Sequence, residues 1–154
     1  VIDRRALLAS TLALASCGAG EAPATPPTGP VRPLKAVAPF PVGTVAMSGQ
    51  LSDQAWFQLV STHFSQLTPE WEMKMEYILA NGLDRPNFDR SDRIAAFARA
   101  EGMAMHGHTL IWYAQGKEAF AGLSGAAFDR AFDGYIAAVA GRYRGKVRSR
   151  DVVN

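Results

Sequence analysis

Met103-Ala104-Met105-His106-Gly107-His108-Thr109-Leu110-Ile111-Trp112 is a short apolar run that turns polar and aromatic at its far end. Met103–His108 has the length of a strand, and it follows Gly102, the residue type that most often closes a helix. Before it, Ser91 or Asp92 opens a helix with Ile94, Phe97 and Ala98 on one face. Helix, glycine, short strand and polar tip in that order are the punctuation of a βα repeat.

The same grammar extends outward in both directions. Upstream, a first strand is expected at Val42–Met47, then Ser52 and Asp53 as caps for a helix over Gln54–Ser61, then a second strand at Phe64–Leu67 running into Thr68-Pro69-Glu70. Asn81–Asp89, with Gly82 and Pro86, reads as a loop. Downstream, Ser124 opens a helix with Phe128, Phe132, Tyr135, Ile136, Val139 and Tyr143 at the 3.6-residue period, and Lys146–Asn154 turns into a fourth strand, Asp151–Asn154. Strands alternating with helices imply an α/β fold with a parallel sheet.

Composition narrows the function classes. Of 154 residues, 48% are hydrophobic and 19% charged, the balance of a folded domain, and the net charge of +2 is spread without a basic run. Nucleic acid is therefore not an expected partner. Neither a phosphate-cradling glycine loop nor Cys and His at metal-ligand spacing occurs, so no cofactor or metal is expected.

The N-terminal residues follow a different logic. Asp3-Arg4-Arg5 precedes an almost purely apolar stretch, Ala6–Ala15, too short to span a bilayer but suited to an export signal. Leu14-Ala15-Ser16-Cys17 resembles a bacterial lipobox, and the single cysteine cannot form an internal disulfide. The expected organisation is a signal peptide over 1–16, a lipidated Cys17 with a Pro/Ala/Gly-rich spacer over 17–41, and a βα domain over 42–154. The expected location is the outer membrane or cell surface, as an exported lipoprotein held by its lipid. Arg4-Arg5 admits a twin-arginine signal as well as the general export route.

Chemistry-bearing side chains gather at the strand ends: Glu70, Trp71, Glu72 and Lys74 after the second, His106, His108 and Trp112 after the third, Asn154 at the fourth. In a βα barrel those ends converge on one mouth. Carboxylates, amides and indole faces together suit sugars, which offer hydroxyls at their rims and apolar ring faces. The residues alone leave alternatives open. Glu70 and Lys74 equally make an i,i+4 pair at a helix start, His108 equally serves as a satisfied core histidine, and Trp112 is ambiguous. Trp56, on an amphipathic face, reads as core.

Four stretches together resemble glycoside hydrolase family ten. Leu67-Thr68-Pro69-Glu70-Trp71-Glu72-Met73-Lys74 is similar to its Thr-Pro-Glu-Asn-x-Met-Lys segment, and Asn87-Phe88-Asp89 with Asp92-Arg93 to its Phe-x-x-(Ala)-Asp segment. Gly107–Trp112 is similar to Gly-His-Thr-Leu-Val-Trp, and Asp151-Val152-Val153-Asn154 to the start of Asp-Val-Val-Asn-Glu. The likeness implies the N-terminal half, about four strands, of a (β/α)8 TIM barrel. It also implies retaining endo-1,4-β-xylanase activity on xylan or xylo-oligosaccharides.

Carried over by position, Glu70 and Lys74 are implied to bind the xylose two places from the cleavage point on the non-reducing side. His108, Trp112 and Gln115 are implied to line the sugar being cleaved, and Asn154 to hydrogen-bond its 2-hydroxyl, a contact that strengthens in the oxocarbenium-like transition state. The resemblance places both catalytic carboxylates outside these residues, the acid directly after Asn154 and the nucleophile on the seventh strand. The expectation is thus a truncated xylanase, poorly folded and inactive as an isolated chain; the alternative is a non-catalytic surface lipoprotein that binds xylan or a partner. Four positions depart from the family pattern: Trp71 for Asn, Met75 for Trp, Tyr113 for His and Arg150 for Trp.

Overall fold

Two helices begin beside a side chain that accepts hydrogen bonds from nearby backbone amides. The Asp53 carboxylate accepts hydrogen bonds from the amides of Ala55 and Trp56 at 2.9 and 3.1 Å, capping a helix over Gln54–His63. Asn87 accepts from the Asp89 amide at 3.0 Å, and the next long helix runs Asp89–Ala100. This helix starts before the expected Ser91 or Asp92, because Ser91 is fully buried inside its first turn and donates to the Phe88 carbonyl.

The computed structural model describes residues 29–154, of which residues 32–154 form one compact unit. In chain order the elements are α1 (Leu34–Val37), β1 (Gly43–Ala46), α2 (Gln54–His63), β2 (Gln66–Pro69), α3 (Met75–Ile78), α4 (Asp89–Ala100), β3 (Ala104–Gly107), α5 (Gly125–Arg142) and β4 (Ser149–Arg150), with a 3-10 turn at Lys117–Phe120. The expected signal peptide, lipobox and Cys17, and most of the spacer, lie outside the described residues. The end of the expected spacer holds the helical turn α1, whose Leu34 amide donates to His63 Nδ1 on α2. Among the described residues no helix is long and apolar enough to cross a membrane.

The four strands lie parallel in the order β1-β2-β3-β4, each next to its chain neighbour, with Thr44 opposite Leu67, Leu67 opposite Met105 and Gly107 opposite Arg150. Neighbour-to-neighbour order with a helix between strands is the winding of a βα barrel, not of a doubly wound sheet. The fourth strand is a correction: it is Ser149–Arg150, not Asp151–Asn154, which contributes only a bridge between Ile111 and Val153. The consecutive amides of Leu110 and Ile111 donate to the consecutive carbonyls of Asp151 and Val152, which interrupts the alternate bonding of a regular parallel ladder.

Period-two alternation divides the sheet into two faces. Ala46, Leu67 and Met105 point toward the helices, where they are buried with Val60, Ile94, Ala98, Val139 and Tyr143. Trp56 packs there against Phe97, ring centroids 5.9 Å apart, as its position on an amphipathic face indicates. Arg150, in place of the family's Trp, lies over the Tyr143 ring at 5.7 Å in this same layer. The opposite, concave face carries Val45, Thr68 and His106, and it leads to the candidate site.

Candidate functional site

The concave face and the loops at its strand ends enclose a cavity of about 300 Å³ lined by Glu70, Lys74, His106, His108 and Asp151, with Val45 and Thr68 as its floor. Three of the residues expected at a sugar site, Glu70, Lys74 and His108, thus meet although the sequence spreads them over two βα units. Convergence follows from the parallel strands, whose ends all point the same way.

Lys74 is buried, at 7% exposure, immediately before α3. Its ammonium lies 4.4 Å from the centroid of Trp71 and 5.0 Å from that of Trp112. Two indole faces hold the cation, and no carboxylate of the described residues lies within 4 Å of it. Residues 70–74 are turn rather than helix, so the Glu70–Lys74 helix pair does not form. Trp71 is fixed in turn by an N–H contact to Met47 Sδ at 3.2 Å and by the tilted ring of Tyr77.

His108 bonds through Nδ1 to Asp151 Oδ2 at 2.8 Å, and His106 places Nε2 3.3 Å from Asp151 Oδ1. One carboxylate therefore joins two histidines of β3 and its extension. The bond from His108, with that from His106 behind it, holds the Asp151 carboxyl below the ordinary carboxylate range. An Nδ1–H donated to Asp151 leaves His108 Nε2 as the ring atom available to the cavity. Ser149 Oγ lies 2.8 Å from His106 Nδ1 and completes the chain. Sequence reasoning placed His106 at the strand end without giving it a role and missed Asp151 as a site residue; the signal is the i,i+2 spacing of His106 and His108, which puts both on one strand face opposite the first acidic residue after the neighbouring strand.

From the helix side, the buried Tyr135 hydroxyl donates to the Leu110 carbonyl at 2.8 Å, and burial pushes its pKa up. Thr109, also buried, donates to the Asp151 carbonyl at 3.2 Å. The strand end that presents His108 and Trp112 is thus pinned from two directions. Gln115 and Asn154 stand apart from the cavity lining. Gln115 keeps a buried Oε1 without a hydrogen-bond partner among the described residues, and the exposed Asn154 donates its backbone N–H to the Ile111 carbonyl at 3.0 Å.

This winding is shared with known proteins. The chain is 36% identical over 127 residues to an endo-1,4-beta-xylanase A of Cellvibrio japonicus, covering 79% of this chain and 20% of that protein. To an endo-1,4-beta-xylanase A of Thermotoga maritima it is 35% identical over 124 residues, 75% of this chain and 12% of the other. Among solved structures it superposes on a psychrophilic glycoside hydrolase family 10 endo-beta-1,4-xylanase with a TM-score of 0.69 at 32% identity, covering 75% of this chain and 37% of that one. The catalytic core of a xylanase A gives 0.68 at 32% identity, over 79% and 36%. The chain therefore spans a fifth or less of the two xylanases and little more than a third of the two solved chains. A family model described as glycosyl hydrolase family 10 matches residues 34–154. Its four strands are the N-terminal half of the barrel seen in those structures, and the chain belongs to glycosyl hydrolase family 10.

Proposed function

We propose that the complete protein carrying this chain is an endo-1,4-β-xylanase that cleaves xylan with retention, and that this chain supplies the half of the site that grips the sugar. The observation that carries the reading is the cavity where Glu70, Lys74 and His108 meet, with Trp112 against the Lys74 ammonium. Its carboxylates, ammonium and imidazoles can pair with sugar hydroxyls, and the indoles of Trp71 and Trp112 hold the Lys74 ammonium that lines it. Relatives called endo-1,4-beta-xylanase support the substrate class.

In this reading Glu70 accepts from and Lys74 donates to hydroxyls of a bound xylose unit. His108, oriented by Asp151, offers Nε2 to the neighbouring unit, and Asn154 meets its 2-hydroxyl. Such contacts accelerate hydrolysis to the extent that they tighten as the ring flattens toward the oxocarbenium-like transition state. Retention requires two carboxylates about 5–5.5 Å apart on either side of the bond, roles assigned to no residue of this chain.

The test is hydrolysis of xylan by the complete gene product, followed by reducing-sugar release and by the anomer first formed. Release of β-anomeric xylo-oligosaccharides is expected; absence of hydrolysis on xylan by a folded product refutes the reading. We further propose that the protein is exported and tethered to a membrane through a lipid on Cys17, on the strength of the Leu14–Cys17 motif. Cys17→Ser is expected to move activity from the membrane to the soluble fraction, and an unchanged distribution refutes the anchor.

A further inference from the structure

Beside the sugar cavity lies a second, open cleft of about 500 Å³, formed by the loop after β1, the loop after β2 and the first turns of α4. Trp71 connects the two. One region of its indole covers the Lys74 ammonium of the sugar cavity, while the ring also lines the cleft together with Tyr77.

The lining also holds Arg90 and Arg93, three residues apart on α4 and hence on one face. Among the described residues neither guanidinium lies within 4 Å of a carboxylate. Arg93 is held toward the cleft by a bond from Nη2 to the Ser48 carbonyl at 3.4 Å. The one acid in the lining, Glu72, is buried and committed to backbone: Oε1 accepts from the Ser48 amide at 2.6 Å and Oε2 from the Trp71 amide at 3.4 Å. Two guanidiniums against one such carboxylate leave the cleft with an excess cation.

A paired aromatic surface facing two available guanidiniums is a receptor for a ring that carries an anion. Guanidinium forks bind carboxylates in two-point fashion, and indole and phenol faces take the apolar side of a pyranose. We propose that this cleft binds a uronic-acid substituent on the saccharide whose backbone occupies the Glu70–Lys74–His108 cavity, so that Arg90 and Arg93 select acidic xylan decoration. The inference rests on the xylanase reading, which supplies the backbone ligand.

The experiment measures affinity of the complete gene product for two xylo-oligosaccharides of equal length, one bearing a single glucuronosyl branch and one unbranched, by calorimetry at low and high salt. Free glucuronate and inorganic phosphate serve as competitors. Wild type is expected to prefer the branched ligand by on the order of tenfold, the worth of one or two charge-assisted hydrogen bonds, with the preference shrinking in salt. Arg90→Ala, which breaks no hydrogen bond of the fold, and Arg90→Ala with Arg93→Ala are expected to reduce the preference stepwise, with the unbranched ligand as internal reference.

Equal affinity of wild type for both ligands, or an undiminished preference in the double variant, overturns the cleft while leaving the xylanase reading intact. Binding of neither ligand overturns the xylanase reading itself, and the inference with it. Competition by phosphate as strong as by glucuronate against the branched ligand overturns the uronic-acid assignment in favour of a general anion site.

Discussion

Replacing Lys74 by Met separates what the fold needs from what the site needs. The side chain is 7% exposed, and its ammonium has two indole faces, at 4.4 and 5.0 Å, as its partners among the described residues. Withdrawing an ammonium from water without a counter-charge costs several kcal/mol. Two desolvated cation–π contacts return roughly 2 kcal/mol each, so the charge is close to neutral for folding. Methionine has nearly the same length, removes the desolvation cost and keeps a sulfur–aromatic contact of about 0.3–1.5 kcal/mol per ring. Denaturant unfolding of the complete gene product is therefore expected to show Lys74→Met within about 1 kcal/mol of wild type, or above it.

Binding should move the other way. A charge-assisted hydrogen bond to a sugar hydroxyl is worth about 1.5–3 kcal/mol, which predicts xylo-oligosaccharide affinity lower by about 10- to 100-fold in calorimetry. A variant that loses more than about 2 kcal/mol of stability while binding normally would show that Lys74 is a packing residue held by its indoles, and the site assignment would fall.

Three other substitutions probe the scaffold behind the site. Asp151→Asn removes the anion that orients His108; kcat/KM on xylo-oligosaccharide is expected to drop about tenfold, with a stability loss under about 1 kcal/mol because the carboxylate is partly exposed. Since the folded state lowers the Asp151 pKa, that small stabilisation is present above about pH 4 and disappears as the pH falls through the lowered value, so wild type and variant should converge in acid-unfolding curves. Gly116→Ala forces a side chain onto a φ of +86° with its Cβ 2.9 Å from Met75 Cγ and 3.0 Å from the Glu76 amide, and a loss of about 1–3 kcal/mol with weakened sugar binding is expected through displacement of the turn next to Lys74. Tyr143→Phe deletes a buried hydroxyl that donates to Ser91 Oγ at 2.7 Å and lies 3.0 Å from Asp92 Oδ1, a loss of about 1–2 kcal/mol. Burial raises the Tyr143 pKa to about 12, so the advantage of wild type over Phe should be complete below about pH 10 and fade between pH 10 and 12 as the unfolded chain ionises first.

Much of this architecture is legible in the sequence because helix starts and strand ends are local events. Asp53 caps its helix through amides two and three residues on, and Gly102 closes α4 with a φ of +65°, both readable from residue type. The β4 register was not, because it depends on where the amides of Leu110 and Ile111 find acceptors more than forty residues away. The same limit governs the site. Glu70, Lys74, His108 and Trp112 become candidates through their place at strand ends together with the family resemblance, whereas Asp151 joins them only when β3 and β4 lie side by side and its oxygens fall between two imidazoles. A carboxylate on a predicted strand carries no mark of which partner the neighbouring strand will bring.

Trp71 shows how one departure from a family pattern acquires meaning through geometry. Read as a sequence, it is the loss of an asparagine amide, one polar sugar contact fewer. In the fold the indole packs on the Lys74 ammonium and lines the Arg90–Arg93 cleft, so it exchanges a directed hydrogen bond for an apolar wall of that cleft. A wall reads ligand shape more than hydroxyl pattern. Reverting Trp71→Asn is accordingly expected to improve binding of unbranched xylo-oligosaccharide and to erode any preference for a branched acidic one, whereas Trp71→Phe should retain that preference. An asparagine variant that binds both ligands as wild type does would mean the indole faces solvent in the working protein, and that the second cleft is not joined to the first.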